Sequence, residues 1–409
     1  MKYTLLILII FSGFLLADAR EVDDFHWQGV ERIVAIGDLH GDYGNYIKTL
    51  QAAGLVDKKG KWSGGKTHLV QTGDIPDRGP DTTKIIDHIS QLAKQAKRKG
   101  GRVHSLIGNH EAMNMYGDLR YVHAGEYEVF VDRNSAALRD RYFDIVMQNL
   151  EQQDPEGFAA LPENYREEWN KKYPLGWVEH RQAWDPAWNP EGKYANWVLD
   201  KRVAIQINDT IFLHGGISAY YCQNTLSSIT EKARASLRHF DPANSGIIED
   251  ENGPLWYRGL SGVKPHASIE TVDAILEHHG AKHIVVGHTP TSGVIWPRYN
   301  DKVVMIDTGI AAAYGGHVAY LEIVPDGLHA GYPGHKLSLP SDSEGLVPYL
   351  EKVIEADPDN PQLQQRLQRL MNPPVAEAAA GAGNGEAADA TAASPEPAVP
   401  EPAPICGIS

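Results

Sequence analysis

Two carboxylates and one guanidinium lie close together in the stretch Asp74-Ile75-Pro76-Asp77-Arg78, shortly after the apolar run His68-Leu69-Val70. One carboxylate there can bind a metal ion, the second can tune a neighbouring acid, and the arginine can hold two phosphate oxygens at once. A surface turn rich in Gly, Pro and Asp would have the same composition. This stretch alone therefore leaves two interpretations open.

Further stretches of complementary chemistry favour the metal site. Each of them follows an apolar run of its own, and glycine flanks nearly all of them. They are Gly37-Asp38-Leu39-His40-Gly41, Gly108-Asn109-His110-Glu111, Leu213-His214-Gly215-Gly216 and Gly287-His288-Thr289-Pro290. Any single histidine in a chain with 18 of them would be read as structural. The shared pattern instead predicts a phosphate-processing metal centre.

Strand and helix patterns alternate along the first part of the chain. An unbroken apolar run predicts a buried strand over 33–36, and further strands are predicted over 68–70 and 103–107. Helical spacing predicts helices over 43–53 and 81–98. Binding sites in open α/β sheets lie beyond the carboxyl ends of the strands. Asp38, Asp74 and Asn109 follow those ends and are therefore expected to converge.

The second half of the chain repeats the alternation. A hairpin is predicted over 202–213 with a two-residue Asn208-Asp209 turn, helices over 227–238 and 268–279, and strands over 283–286, 303–306 and 317–324. His214 and His288 follow strands of this set. We expect an α/β fold in which two sheets pack together with helices outside.

The converging side chains offer oxygen and imidazole ligands. They are Asp38, His40, Asp74, Asn109, His214 and His288. Such a set suits Mn, Fe, Zn or Co better than calcium. Because six ligands are too many for one open catalytic ion, we expect two ions bridged by Asp74, with Asp38 and His40 completing one site and Asn109, His214 and His288 the other. A metal-bridging water would then attack phosphorus.

The remaining segments suggest the domain organisation. Residues 1–19 are expected to be a signal peptide, because Lys2 precedes an apolar run and Ala17-Asp18-Ala19 is a small-x-small cleavage pattern. The run over 5–16 is shorter than the roughly 20 residues of a spanning helix, so periplasmic export without stable membrane insertion is predicted. The catalytic domain is expected over 28–330, with a helical, Trp-rich insert over 112–200.

The C-terminal part is expected to contain an extension over 331–373 and an Ala/Gly/Pro/Glu tail over 374–409 that is too poor in apolar residues to order itself. The tryptophans of the insert either form a local core or line a substrate groove. A net charge of −15 argues against nucleic-acid binding. Two cysteines, Cys222 and Cys406, exclude a disulfide scaffold and leave a single bridge open.

The motifs, in order and content, resemble the phosphoprotein phosphatase (PPP) family of metallophosphoesterases: Asp-x-His-Gly, Gly-Asp-x-x-Asp-Arg-Gly, Gly-Asn-His-Glu, His-Gly-Gly and a late Gly-His. Residues 108–115 with 117–122, and residues 253–259, resemble its bacterial-type Shewanella-like branch. The resemblance runs over residues 32–325. It implies a calcineurin-like four-layer α/β/β/α sandwich with two packed mixed sheets.

The resemblance also implies roles for individual residues. His110 would be the general acid, Asp77 its orienting carboxylate, and Arg78, Asn109 and Arg258 would bind the substrate phosphate. The substrate would be a phosphorylated protein or small phosphomonoester, and the Shewanella-like branch makes phosphotyrosine plausible. The insert is longer than the matching span of eukaryotic serine/threonine members, so their regulatory sites do not transfer.

Two alternative functions would leave different residues in the sequence. A phosphodiesterase or dinucleoside polyphosphate hydrolase on the same scaffold would be expected to carry Gly-His-x-His where this chain has Gly287-His288-Thr289-Pro290. A non-catalytic binding protein would be expected to have lost a ligand or His110, and none is missing. The sequence therefore favours a phosphomonoesterase and leaves the metal identity and the oligomeric state open.

Overall fold

The structure is a computed structural model that describes residues 20–372 and Cys406. Within these residues the strands are β1 (Arg20–Glu21), β2 (His26–Gln28), β3 (Ile33–Ile36), β4 (His68–Gln71), β5 (Arg102–Ser105), β6 (Ala204–Ile207), β7 (Thr210–Leu213), β8 (His283–Val286), β9 (Trp296–Arg298), β10 (Val303–Met305), β11 (Tyr320–Val324), β12 (Gly327–Tyr332) and β13 (His335–Ser338). They form two mixed sheets. Sheet I has the order β13-β12-β11-β3-β4-β5 and sheet II the order β1-β2-β6-β7-β8-β10-β9.

Helices cover both sheets and fill the insert. They are α1 (Tyr43–Ala52), α2 (Thr82–Lys97), α3 (Asn109–Tyr116), α4 (Ala124–Glu128), α5 (Ser135–Gln153), α6 (Pro155–Ala159), α7 (Tyr165–Lys172), α8 (Trp177–Trp184), α9 (Lys193–Leu199), α10 (Leu226–Arg238), α11 (Ile269–His279), α12 (Leu346–Ala356) and α13 (Pro361–Met371). The predicted α/β/β/α sandwich with two packed mixed sheets is confirmed.

Strand β3 shows why an unbroken apolar run is needed in the middle of the sandwich. Ile33 and Ala35 face the core between the two sheets, whereas Val34 and Ile36 face the core under the helices α1 and α2. All four residues are buried. Strands β3, β4 and β5 are parallel, and α1 and α2 connect them, as the βαβαβ pattern predicts.

The insert is helical, and three of its tryptophans pack around Tyr142. The ring of Tyr142 lies with its centroid 5.3 to 6.0 Å from the ring centroids of Trp169, Tyr173, Trp177 and Trp188. Trp184 is fully buried in the core that also contains the apolar face of α2. The local-core interpretation of these tryptophans therefore accounts for their contacts.

The parts of the chain near its two ends differ in how far the structure describes them. Residue 330, the predicted end of the catalytic domain, falls inside β12, and β12 and β13 extend sheet I. The predicted signal peptide (1–19) lies outside the described residues, as does the predicted tail apart from Cys406, which forms a disulfide with Cys222. Between residues 20 and 372, no helix is both long and apolar enough to cross a membrane.

Candidate active site

The carboxyl ends of six strands meet at one edge of the sandwich. β3, β4 and β5 of sheet I run parallel to one another, as do β7, β8 and β10 of sheet II. The loops that follow carry the predicted metal ligands Asp38, His40, Asp74, Asn109, His214 and His288. All six side chains are buried together at this edge. The convergence expected from the sequence is present.

Three of the histidines each have one ring nitrogen beside a backbone carbonyl. Nδ1 of His40 lies 3.1 Å from the Pro76 oxygen, and Nδ1 of His214 lies 3.0 Å from the Thr72 oxygen. For His288 it is Nε2 that lies 3.2 Å from the Trp256 oxygen. A ring nitrogen that donates to a carbonyl leaves the other nitrogen with a free lone pair for a metal ion.

Asp74 connects two groups of ligand atoms. Its Oδ1 accepts the His110 backbone N–H at 2.9 Å. Its Oδ2 lies 3.2 Å from Nε2 of His214 and 3.9 Å from Nε2 of His40. One group contains His40, Asp74 and His110, and the other contains Asp74, His214 and His288, with ligand atoms within 4.8 Å of one another in each. Asp74 is the member common to both.

Asp38 and Asn109 complete the cluster on its two sides. The backbone N–H of His288 lies 3.2 Å from both Asp38 oxygens, and Oδ2 of Asp38 lies 3.9 Å from Nε2 of His40. Oδ1 of Asn109 lies 2.9 Å from Nε2 of His214. Each of these residues turns an oxygen toward the histidines, as a metal ligand would.

The charge of the cluster fits bound cations. Burial raises the pKa of Asp38 well above its usual range, and the charges of Asp307 and Asp74 add to the effect. Burial also raises the pKa of Asp307 to about 6. Three buried carboxylates therefore crowd together, and ionised carboxylates in such a place require positive partners. Oxygen and imidazole ligands in this arrangement are suited to divalent transition metals.

His110 differs from the metal-ligand histidines His40, His214 and His288 because a carboxylate and not a carbonyl orients it. Its Nδ1 lies 2.5 Å from Oδ2 of Asp77, and Asn114 donates to the other Asp77 oxygen at 2.9 Å. Its Nε2 lies 3.8 Å from Oδ2 of Asp74. A carboxylate on Nδ1 favours the protonated imidazolium, so that Nε2–H can donate a proton into the site.

The pKa values separate this histidine from the ligands. Burial lowers the pKa of His110, but the Asp74 charge and the hydrogen bond that the ring donates to Asp77 outweigh it and raise the value to about 9. Burial and the neighbouring His110 lower the pKa of His40 to about 3. Burial and the Arg258 cation hold the pKa of His288 well below its usual range. Neutral imidazoles suit metal binding, and a protonated one suits general-acid catalysis.

Two arginines reach the cluster from different sides. Nη1 of Arg258 donates to the His288 oxygen at 2.7 Å and to Oγ1 of Thr289 at 3.1 Å. Arg78 is exposed at the rim, with its Cζ 3.9 Å from the centroid of the Tyr121 ring and 5.9 Å from that of Tyr314. Hydrogen bonds fix the Arg258 guanidinium, whereas the Arg78 guanidinium contacts aromatic rings.

Comparison with known proteins identifies the family of this chain. A sequence profile of the calcineurin-like phosphoesterase family matches residues 31–292. The chain is a calcineurin-like phosphoesterase. It is 32% identical to an uncharacterized protein of Schizosaccharomyces pombe, over 71% of this chain and 76% of the relative. It is 30% identical to Shewanella-like protein phosphatase 2 of Arabidopsis thaliana, over 71% of this chain and 74% of that protein.

A solved structure shows the same relationship. The phosphoesterase superposes on the crystal structure of a cold-active protein-tyrosine phosphatase of a psychrophilic Shewanella species with a TM-score of 0.57 and 28% identity. The match covers 78% of this chain and 83% of the other. Together with the family match, these relatives identify the phosphoesterase as a phosphatase, and its family uses divalent metal ions.

Several residues of the phosphoesterase were not given roles from the sequence. Glu111 accepts the backbone N–H groups of Asp74, Ile75 and Gly108 at 2.8 to 2.9 Å, and so ties two ligand loops together. Glu126, from the insert, accepts the Asp77 backbone N–H at 2.9 Å and the Thr82 hydroxyl. Burial and the nearby Asp77 raise the pKa of Glu126 to about 8. These two carboxylates orient the backbone beneath the site.

Asp307 is a further buried residue that sequence reasoning missed. It follows β10 as Asp38 follows β3, so the rule that found the other acids, a carboxylate just after an apolar run, also applies to Val303-Val304-Met305-Ile306-Asp307. Its Oδ1 accepts the Gly309 N–H at 3.1 Å. Glu126 and Tyr314 had no comparable signal in the sequence.

The backbone of the phosphoesterase is strained at its site. Five site residues have positive φ although none is glycine: His40 (41°), Asp74 (59°), Asp77 (74°), Arg78 (65°) and His288 (65°). Such conformations cost about 1 to 3 kcal/mol each and persist only where surrounding contacts impose them. The hydrogen bonds from Asp74 and Asp77 to Glu111 and Glu126 are contacts of this kind.

Two glycines of the phosphoesterase allow the ligands to approach the backbone. A Cβ on Gly287 would lie 2.5 Å from Oδ1 of Asp38, and one on Gly108 would lie 2.2 Å from Oδ1 of Asp74. Neither carboxylate can move away without leaving the cluster. The glycines next to the ligand motifs are therefore required by close packing against the ligands themselves.

The substitution Gly287→Ala should displace Asp38 and lower metal occupancy and turnover together, while the fold persists. The measurement is metal content by elemental analysis beside the phosphatase rate and the thermal midpoint. Gly44→Ala is the matched control, because a Cβ there meets Oδ1 of Asp42 only at an ordinary 3.5 Å. Full metal content in Gly287→Ala would show that Asp38 is not held by this contact.

Proposed function

We propose that this chain is a binuclear metal-dependent phosphomonoesterase, acting as a protein phosphatase that prefers phosphotyrosine. The observation that carries the proposal is the pair of ligand groups sharing Asp74, together with His110, whose Nδ1 contacts the Asp77 carboxylate. A shared carboxylate supports two ions, and a histidine oriented by Asp77 supports a general acid. Mn, Fe or Zn would suit the ligand set.

The residues of the chain would divide the reaction as follows. Arg258 and Arg78 would bind two sides of the phosphate, and Asn109 would orient it from the cluster. His110 would donate its Nε2 proton to the leaving oxygen as the phosphorus–oxygen bond breaks, so that the alcohol or phenol departs neutral. Asp77 would hold the ring in place. Bound divalent ions would neutralise phosphate oxygens and lower the pKa of an attacking water.

The two arginines support a monoester substrate over a diester. A phosphomonoester is a dianion, and Arg258 and Arg78 provide two guanidinium groups for it in addition to the metal centre. Pro290 occupies the position where a diesterase would carry a second histidine. The neighbouring Thr289 accepts a hydrogen bond from Arg258 through its hydroxyl. A higher rate on bis(p-nitrophenyl) phosphate than on the monoester would favour the phosphodiesterase alternative.

The preference for phosphotyrosine is supported by the likeness to the protein-tyrosine phosphatase of Shewanella and by the depth of the site, whose ligands are almost wholly buried. We expect a phosphotyrosine peptide to have a higher kcat/KM than the phosphoserine version of the same peptide. Small aryl phosphates are no substitute in this test, because a phenolate leaves easily from any enzyme. Equal values for the two peptides would contradict the preference and leave a broad phosphatase.

We also propose export across the inner membrane to the periplasm, on the strength of residues 1–19. The mature protein should begin at or near Arg20, where sequencing of the amino terminus of the cell-derived protein would place it. Protein that retains Met1 in the soluble cytoplasmic fraction would contradict export.

A further inference from the structure

Two tyrosines lie on either side of Arg78 at the mouth of the site. The Arg78 Cζ is 3.9 Å from the Tyr121 centroid and 5.9 Å from the Tyr314 centroid. Each tyrosine also contacts one histidine of the cluster. The ring centroids are 5.3 Å apart for Tyr121 and His110, and 5.1 Å apart for Tyr314 and His40. The two rings and the guanidinium form a continuous rim, which we call the aromatic rim.

Backbone N–H and C=O groups hold the segments that carry Tyr121 and Tyr314. The Tyr121 oxygen accepts the Arg78 N–H at 3.0 Å, which joins the start of the insert to the Asp77-Arg78 turn. Tyr314 ends a short 3-10 turn over Ala312–Tyr314, and the Ala312 N–H donates to Asp42 at 2.9 Å. Both rings are half-buried, so part of each is accessible from solvent.

The residues next to Tyr314 in its loop have small side chains or none. Ala312, Ala313 and Gly315 are exposed and small. Gly315 has a φ of 111°, a conformation that suits glycine and not larger residues. A substrate group attached to the phosphate can therefore lie over the aromatic rim without meeting a large side chain from this loop.

We propose that Tyr121 and Tyr314 are specificity-determining residues that contact the aromatic ring of a phosphotyrosine or aryl phosphate. The inference rests on the proposed function, because it places the phosphate at Arg78 and the leaving oxygen beside His110. Tyr121 adjoins both of those groups, so the first atoms beyond the leaving oxygen lie against its ring. A phenyl group reaches this surface, whereas the single methylene of phosphoserine places peptide backbone there.

The size of the effect follows from aromatic pairing. Offset or edge-to-face ring pairs add stabilisation beyond their buried area, and each is equivalent to about a 2- to 10-fold change in an equilibrium constant. Loss of one ring from the rim should therefore reduce the ratio of kcat/KM for phosphotyrosine over phosphoserine by about 2- to 10-fold. Loss of both should reduce the ratio further.

The test compares one peptide sequence carrying either phosphoamino acid on the metal-loaded enzyme. The variants are Tyr121→Leu, Tyr314→Leu and the double variant, with Tyr121→Phe and Tyr314→Phe as controls that keep the ring. Since both peptides carry the same phosphate, any displacement of Arg78 affects both rates and cancels in the ratio. We expect the ratio to fall in the leucine variants, through a higher KM for the phosphotyrosine peptide, and to persist in the phenylalanine variants.

Three results would overturn the inference. If the leucine variants keep the wild-type ratio, the tyrosines do not recognise the aryl group, although the proposed preference stands. If the ratio falls in the phenylalanine variants as far as in the leucine variants, the tyrosine hydroxyl and not the ring recognises the aryl group. If the wild type itself has a ratio of one, the proposed preference fails and this inference fails with it.

Discussion

Replacing Asp74 with asparagine should remove metal from both halves of the site and lower turnover by on the order of 10³-fold, because the metal centre supplies several kcal/mol of transition-state stabilisation. Oδ1 of Asp74 accepts from the His110 backbone, and Oδ2 faces His214, His40 and His110. An amide has only one oxygen. One of these two positions would therefore hold an NH₂ group that repels a cation or the His110 N–H.

The measurement is metal stoichiometry after reconstitution with Mn, beside kcat on a phosphomonoester. The wild type should bind two ions per chain, and Asp74→Asn should bind fewer and weakly. Asp144→Asn, an exposed position in the middle of α5, is the control for loss of one negative charge. A wild type with full activity at one ion per chain under saturating metal would overturn the shared carboxylate.

Replacing His110 with asparagine should lower kcat by about 10² to 10⁴-fold, the usual contribution of a general acid. The loss should be larger for an alkyl phosphate than for p-nitrophenyl phosphate, since an alkoxide needs a proton to depart and a nitrophenolate does not. Metal content should be unchanged, because the six ligands remain. Comparing the two substrates therefore separates proton donation from a general disturbance of the site.

Asp77→Asn is the companion variant for His110. It removes the carboxylate that Nδ1 of His110 contacts while retaining an oxygen for Asn114. We expect a smaller loss than in His110→Asn, with the same dependence on the leaving group. If His110→Asn loses metal together with activity, His110 belongs to the ligand set, a role that its proximity to His40 and Asp74 would permit.

The part of the fold that the sequence predicts is the part set by local pattern. The run at 33–36 is apolar at every position because β3 faces a core on each side, and this requirement is visible without a structure. The hairpin of β6 and β7 turns at Asn208, whose φ of 55° matches the predicted turn. The metal ligands were found because each follows such a strand directly.

Contacts between distant segments were not predictable in this way. Glu126, in the insert, accepts the Asp77 backbone N–H, and the residues beside it in the sequence do not indicate a buried carboxylate. Tyr314 comes to the rim from a loop of small residues after β10. The pairing of Cys222 with Cys406 joins positions whose separation of 184 residues carries no information on proximity. In each case the partner is set by tertiary packing, which overrides local pattern.

The positive φ values at His40, Asp74, Asp77, Arg78 and His288 bear on the evolutionary history of the family. At each of these positions glycine would relieve the backbone strain, at the expense of a ligand, a general-acid partner or a phosphate contact. In a relative that has lost catalysis they should be among the first to drift toward glycine or asparagine, so their retention distinguishes working enzymes from descendants that keep only the scaffold.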